Sequence, residues 1–248
     1  MILKSNEYKP LARLLDNVPF NTYFARSVLE GHVDGQVFVN DKENPTSMYV
    51  CHKYGMSFLY GDADNAEFNG EISKHFNNKW LQAWPRDWDD FLSKIDGVQI
   101  DTRLNFAFNK EIFEQNNGSL DLDAYGVEEA SLDVMKSFKG NVVPANFWKD
   151  STMHMCKAYV AVDEAPVSIA YSSYIHGDVL ELGIETHEEH RGKGLALAVC
   201  VAIIRYCIKN DLTPDWSCRL SNAGSFKLAA RLGFVETARI PYYHIPAR

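Results

Sequence analysis

The feature that most restricts the fold is the run Leu195-Ala-Leu-Ala-Val-Cys-Val-Ala-Ile-Ile204, with the segment that leads into it. Ten apolar residues are too few to span a bilayer, which takes about 20 in a helix. A helix that is apolar on every face must be covered on more than one side. A sheet covers one side; the first domain, a neighbouring helix or a second subunit (a homo-oligomer) covers another. Immediately before the run stand Leu182–Thr186, with strand character, and a loop containing Gly192 and Gly194. A strand that turns through glycines into a buried helix requires a layered fold. The expected class is α/β (α+β) around a mixed central sheet.

Composition narrows the function. The chain has 248 residues, enough for one or two domains and for a core that buries roughly 70–75% of the unfolded surface without disulfides or metal. The formal net charge of −8 argues against nucleic acid and against an anionic membrane as partner. A hydrophobic content of 46% with 12% aromatics excludes disorder. The opening MILKSNEYKPLARLL lacks the apolar core of a signal peptide. The five cysteines (Cys51, Cys156, Cys200, Cys207, Cys218) are odd in number and form no Cys-x-x-Cys, which fits buried thiols in a reducing, cytoplasmic compartment. Asn117-Gly118-Ser119 reads as a turn rather than a glycosylation site.

Along the chain, Phe20, Phe24, Val28 and Leu29 recur at helical spacing, and Gly31 stops that helix. Strand signals follow at 36–40, 47–53 and 56–60, then a helix over 66–76. Trp80, Trp84 and Trp88 are four residues apart, which places them on one helical face, as core or as the aromatic wall of a ligand pocket; Pro85 opens a fresh helix through Leu92. Residues 101–109 alternate as a strand. The polar Glu114-Gln-Asn-Asn-Gly118 is the best linker, so the expected domains are 1–115 and 116–248. The second half reads as a strand (119–123), a helix (127–138) and a helix from Pro144 to His154. Strands at 157–163, 167–175 and 178–186 come next. A helix (195–209), a strand (215–219), a helix (225–232) and a strand from Phe234 to Tyr243 complete it.

The loop at the head of the apolar helix carries the chemistry. The first N–H groups of a helix have no internal partners and the dipole is positive there. Glycines allow close backbone approach, and Arg191 and Lys193 add charge, so the natural guest is a phosphate or pyrophosphate. Neither Gly-x-Gly-x-x-Gly nor Gly-Lys-Ser/Thr is present, which disfavours dinucleotide and P-loop sites. The pattern is Arg191-x-x-Gly194-x-Ala196, and it resembles motif A of the GNAT acyltransferases. The order of elements over Lys157–Tyr243 is also that family's, and Asn222-Ala-Gly-Ser225 … Leu232-Gly233-Phe234 resembles its motif B. The likeness covers the chain from Ser119 to its end. The first half resembles a degenerate partial copy in a two-domain branch of the family and carries no phosphate loop of its own.

The resemblance implies an N-acetyltransferase that uses acetyl-CoA, without a metal, on a small-molecule primary amine by direct transfer in a ternary complex. It implies that Ile184 and Thr186 offer backbone groups to the cofactor. Arg191, Gly192, Lys193, Gly194, Leu195 and Ala196 then hold the pyrophosphate, and Asn222 and Ser225 flank the pantetheine. Glu181, Gly183 and Glu185 share one strand face by period two. Glu181 is the preferred general base and Glu185 the second; both also read as ordinary surface carboxylates. Where many family members have a tyrosine as general acid, this chain has Ala229. Either Tyr242 or Tyr243 serves, Tyr242 being the residue carried forward, or the thiolate leaves unassisted. The same gap motivates the alternative of a catalytically weak or inactive CoA-binding regulatory module. His187-Glu-Glu-His190 is one residue short of a helical His-x-x-x-His metal pair, and a packing role is expected for His190.

Overall fold

The strands of the first hundred residues are short, apolar and buried along most of their length, so their sheet is covered on both faces. In the computed structural model, residues 1–247 are described. A 3-10 segment (Lys9–Asn17) and α1 (Tyr23–Leu29) precede an antiparallel meander of β1 (Gly35–Val39), β2 (Ser47–His52) and β3 (Met56–Gly61). A crossover through α2 (Ala66–Ile72), capped by the Asn65 side chain on the Phe68 amide, leads to β4 (Lys79–Trp84), parallel to β3. Then come α3 (Trp88–Ser93) and β5 (Gln99–Phe108). Two compact units share the chain. The first comprises Met1–Leu104, Arg219–Ser221 and the chain from Arg239 on; the second comprises Asn105–Cys218 and Asn222–Ala238. The division falls inside β5, and position 115 lies within a helix of the second unit.

The tryptophans do not share a helical face. Trp80 and Trp84 belong to β4, and Trp88 opens α3. A spacing of four residues is common to a helix and to one face of a strand, so it does not discriminate between them. Pairing with β3 decides the outcome. Leu81 and Ala83 point into a core with Phe68, Ile72 and Trp88, while Trp84 faces the other way and meets Phe20 edge-on at 6.0 Å.

The second unit contains α4 (Lys110–Asn117), β6 (Val127–Glu129), α5 (Leu132–Ser137) and α6 (Pro144–Phe147). It continues with β7 (Ala158–Asp163), β8 (Ala165–His176), β9 (Val179–Thr186), α7 (Leu195–Lys209), β10 (Thr213–Arg219) and α8 (Ala223–Arg231), and β11 (Phe234–Ile245) starts in it. Its strands run in the order β10-β9-β8-β7-β6, antiparallel except for the parallel pair β9–β10. Both units therefore carry the expected mixed sheets with helices. The meander, α7 and the final strand match the sequence reading closely.

Four segments differ from it. The polar stretch at 114–118 is the end of α4 rather than a linker. Asn109 caps that helix, and Asn117 is buried, donating to the carbonyls of Arg231 (3.0 Å) and Phe113 (3.2 Å). Residues 119–123 form no strand; the Arg205 guanidinium instead gathers the carbonyls of Asn117, Gly118 and Leu120 at 3.0–3.1 Å. The helix expected over 127–138 begins only at Leu132, because Ser131 caps it and 127–129 pair with β7. The helix begun at Pro144 likewise ends at Phe147.

In α7, every residue from Ala198 to Ile204 is buried, and the helix packs on β7, β8 and β9. All five cysteines are free and buried, and burial pushes the Cys156 and Cys207 thiols up to about 12, out of thiolate chemistry. Among the described residues, no helix is long and apolar enough to cross a membrane.

His52 ties the first unit to pH. It is fully buried, and its Nδ1 accepts from the Tyr54 amide at 3.0 Å. Burial, helped by the Lys53 charge, lowers its pKa from 6.5 to about 3. The unfolded ring binds a proton through that window and the folded ring does not. The stability is therefore intact above the unfolded value and is lost as pH falls toward the folded one. From about pH 7 to about pH 5, urea denaturation should show a loss of about 2 kcal/mol from this residue. His52→Asn keeps an acceptor for Tyr54 and should flatten the slope; an unchanged slope would exclude His52 as its source.

Candidate active site

The parallel strands β9 and β10 pair over only three residues, ending at Asp215 opposite Glu181. Beyond that point Leu182–Thr186 keeps its ladder to β8 on one side, and no register to β10 continues on the other. The sheet opens there as a fork. The corresponding parallel pair of the first unit, β3 and β4, stays zipped over five residues through Tyr60 opposite Trp84. The fork belongs to the second unit alone.

The open strand leads directly to the glycine loop. Gly192 (φ 78°) and Gly194 (φ 82°) both take the left-handed conformation that side chains disfavour. The first backbone bond of α7 runs from the Ala198 N–H to the Gly194 carbonyl, at 3.1 Å. Among the described residues nothing takes up the N–H groups of Gly192, Lys193, Gly194, Leu195, Ala196 or Leu197, and no side chain caps the helix. Six consecutive free amides at the positive end of a buried 15-residue helix suit a polyphosphate. An added Cβ at Gly192 would meet nothing within 4 Å, so the loop is open on that side. The residues present therefore fit the pyrophosphate of a CoA.

Glu181 stands at the vertex of the fork, buried except for 7% of its surface. A β-bulge makes this possible. The register of β8 against β9 shifts between Ser172 and Tyr174, which leaves Ser173 as the extra residue. The Ser173 hydroxyl donates to Glu181 Oε2 at 2.9 Å and also lies 3.2 Å from the Glu181 carbonyl oxygen. From β10, on the other side, the Ser217 hydroxyl reaches Oε1 at 3.4 Å. One carboxylate is thus gripped by hydroxyls from both neighbouring strands. Two residues on, Gly183 lies under the Tyr171 ring, and Phe147 of α6 packs on that ring at 5.8 Å.

Glu185 is engaged differently. Its Oε2 accepts the amides of Asn141 (3.0 Å) and Val142 (2.9 Å), and Oε1 lies 3.6 Å from Arg191. Arg191 turns back toward the strand, its Nε donating to the Thr186 carbonyl at 3.1 Å. Thr186 shares a 2.7 Å hydroxyl contact with Ser168, and Ile184 is half-buried beside the fork. Lys193 reaches His190 Nδ1 at 3.3 Å, and His187 stacks on Phe138 at 4.7 Å, so the two histidines point to separate partners. Asn222 caps α8 through the Ser225 amide, and the Ser225 hydroxyl accepts from the Trp216 indole at 3.2 Å. Ala229 is buried on α8 and has no proton to give. Glu181, Ile184, Glu185, Thr186 and residues 191–196 therefore share one strand–loop–helix, with Asn222 and Ser225 at the head of α8. Tyr242 lies in the first unit, buried, its ring 4.8 Å from Trp80 and beneath the Arg103 guanidinium at 5.5 Å.

Ser173, Ser217, Tyr171 and the Asn141–Val142 amides were not visible as parts of the site. No sequence period marks a bulge. Gly183, a glycine inside a strand, was the available sign of a close approach.

A strand fork with a free-amide loop at the head of a buried helix is the architecture of an acyl-CoA acyltransferase, and comparison with known proteins agrees. The family model described as "GNAT acetyltransferase" matches residues 13–243. The chain belongs to the GNAT acetyltransferase family. It is similar to the uncharacterized N-acetyltransferase YdfB of Bacillus subtilis (strain 168), at 25% identity over 98% of this chain and 97% of that one. Among solved structures it resembles a GCN5-related N-acetyltransferase-like protein from Streptococcus suis 89/1591 (TM-score 0.72, 21% identity, 96% and 98% of the two chains). It also resembles a tandem GNAT protein from the clavulanic acid biosynthesis pathway (TM-score 0.60, 12% identity, 97% and 94%).

Gly183 gives a direct test of this geometry. A Cβ there would stand 2.7 Å from the Tyr171 hydroxyl, and the backbone itself is not strained, so the effect is steric. Gly183→Ala should lower the unfolding free energy by about 1–3 kcal/mol in urea denaturation, as over-packing does. A variant as stable as the wild type would mean that Tyr171 does not rest on this strand.

Proposed function

We propose that this protein transfers an acetyl group from acetyl-CoA to the primary amine of a small molecule in the cytoplasm, by direct attack within a ternary complex. The observation that carries the reading is Glu181 at the vertex of the fork, on the strand that leads into the free-amide loop.

The amides from Gly192 to Leu197, with Arg191 and Lys193 beside them, would hold the pyrophosphate. The unpaired edge of β9 at Ile184 and Thr186 would pair with the pantetheine, with Asn222 and Ser225 alongside it. When bound, acetyl-CoA supplies an electrophilic thioester carbonyl and a thiolate leaving group. Glu181 accepts the proton of the incoming ammonium group, which frees the nitrogen lone pair for attack. A carboxylate has about four lone-pair sites. Ser173 and Ser217 orient it by taking two. Ala229 on α8 has no proton to give, so the second proton that the nitrogen sheds as the amide forms would be the one to neutralise the departing sulfur.

Isothermal titration with acetyl-CoA should give a micromolar Kd, about −8 kcal/mol. Gly194→Trp should abolish binding, because the position needs a left-handed φ and an added Cβ already stands 3.2 Å from the Tyr125 ring. Thiol release with an amine panel should then fall about 10²–10⁴-fold in Glu181→Gln, the usual span for a general base, with acetyl-CoA affinity retained. Undiminished turnover would remove Glu181 from the mechanism, and absence of acetyl-CoA binding in the wild type would remove the whole reading.

A further inference from the structure

The second carboxylate of the strand does a different job from the first. Glu185 sends Oε2 to two consecutive backbone amides, Asn141 and Val142, on the segment between α5 and α6. That segment has a second attachment one residue past the strand. His187 Nε2 lies 3.1 Å from the Lys139 carbonyl, and the His187 ring stacks on Phe138 at 4.7 Å with an interplanar angle of 28°. Between the two attachments Gly140 has φ 150°, and an added Cβ would stand 2.6 Å from Glu185 Cγ. A glycine at this spot lets the chain come down onto the carboxylate. Phe138 to Val142 is therefore fastened to the end of β9 at points on both sides of Thr186. On the loop side, Glu185 Oε1 faces Arg191 at 3.6 Å, and Arg191 Nε holds the Thr186 carbonyl at 3.1 Å.

We infer that Glu185, assisted by His187, is a latch. It positions the 138–142 segment on the Glu181 face of β9 and makes that placement depend on the strand end that carries the phosphate loop. Glu185 is a positioning residue, since both its oxygens are turned to the protein's own amides and to Arg191. The segment leads straight into α6, whose Phe147 packs on Tyr171 over Gly183. The latch thus sets the wall beside which an amine would meet Glu181. This kinetic consequence rests on the reading of Glu181 as base; the latch itself does not.

The test compares Glu185→Ala, Glu185→Gln and Glu185→Asp. Glutamine can still accept both amides through its carbonyl oxygen, whereas aspartate keeps the charge and shortens the reach. Hydrogen exchange is followed first, on protein without ligand. In the alanine and aspartate variants the Asn141 and Val142 amides should exchange at least ~10-fold faster, and glutamine should restore wild-type protection. Unchanged protection in the alanine variant, or loss of protection in the glutamine variant, would overturn the latch without touching the proposed reaction. Steady-state rates come second. Glu185→Ala should raise the amine KM ~10-fold or more with a smaller change in kcat, and Glu185→Gln should bring KM back. A kcat collapse in the glutamine variant with KM unchanged would make Glu185 a base and overturn the positioning role. Titration of acetyl-CoA into each variant separates these failures from failure of cofactor binding. Should the alanine variant not fold, aspartate against glutamine carries the same comparison, and His187→Ala should loosen Lys139 in the exchange experiment.

Discussion

Backbone N–H and C=O groups must find partners, and a sheet supplies them by pairing each strand on both sides. In the second unit an interior strand departs from that rule. The pairing of β9 with β10 stops at Glu181 and Asp215, leaving the strand beyond it with one ladder only. An interior strand edge of this kind is a binding feature by construction, because an extended chain of amides can complete it. The rest of the site follows from that opening. The strand runs on into the glycine loop, the loop opens α7, and the burial of α7 from Ala198 to Ile204 fixes where the six free amides stand. A helix anchored less firmly would leave those amides without a defined position, and preorganised donors are what a polyphosphate site needs.

The first unit shows what happens without the opening. Its strand–helix–strand passage through β3, α2 and β4 has the same parallel connection, yet the pair stays closed through Tyr60 and Trp84. Its crossover helix starts with an Asn65 cap, so one of the amides that α7 leaves free is already taken. The residues between β3 and α2 also lack the paired left-handed glycines of Gly192 and Gly194. One topology therefore yields an open fork in one unit and a closed sheet in the other, and the difference lies in strand pairing, in the helix cap and in the loop glycines.

Much of this was legible in the sequence for identifiable reasons. The loop announced itself because glycine, charge and a fully apolar helix coincide over 191–204, and each of these has a local physical meaning. The meander over 158–186 was legible because the turn residues Asp-Glu-Ala-Pro and His-Gly-Asp punctuate runs rich in β-branched and aromatic residues. What was not legible depended on long-range contacts. The 80–88 tryptophans satisfy helix and strand alike until β3 pairs with β4. Asn116 and Asn117 look like solvent-facing linker residues, and they are spent on the Arg231 carbonyl at the end of α8. Ser173 is an ordinary strand serine in sequence; only the register shift against β9 turns its hydroxyl onto Glu181.

Two glutamates four residues apart on one strand face begin as chemical equals, and their neighbours separate them. Glu181 is met by side-chain hydroxyls, groups that rotate and that can be shared with an incoming ligand. Glu185 is met by two main-chain amides, whose geometry is fixed by the segment that carries them. A proton acceptor needs an oxygen that can exchange partners during the reaction, and a latch needs one that does not. On the proposed reading the Ser173 bulge serves the first need, and Gly140, by allowing the chain to settle on the carboxylate, serves the second. Gly183 between them holds the surface low enough for the Tyr171 ring to lie over the strand. The division of labour along Glu181, Gly183 and Glu185 therefore comes from what the neighbouring segments bring to each position, with the strand supplying only the common face.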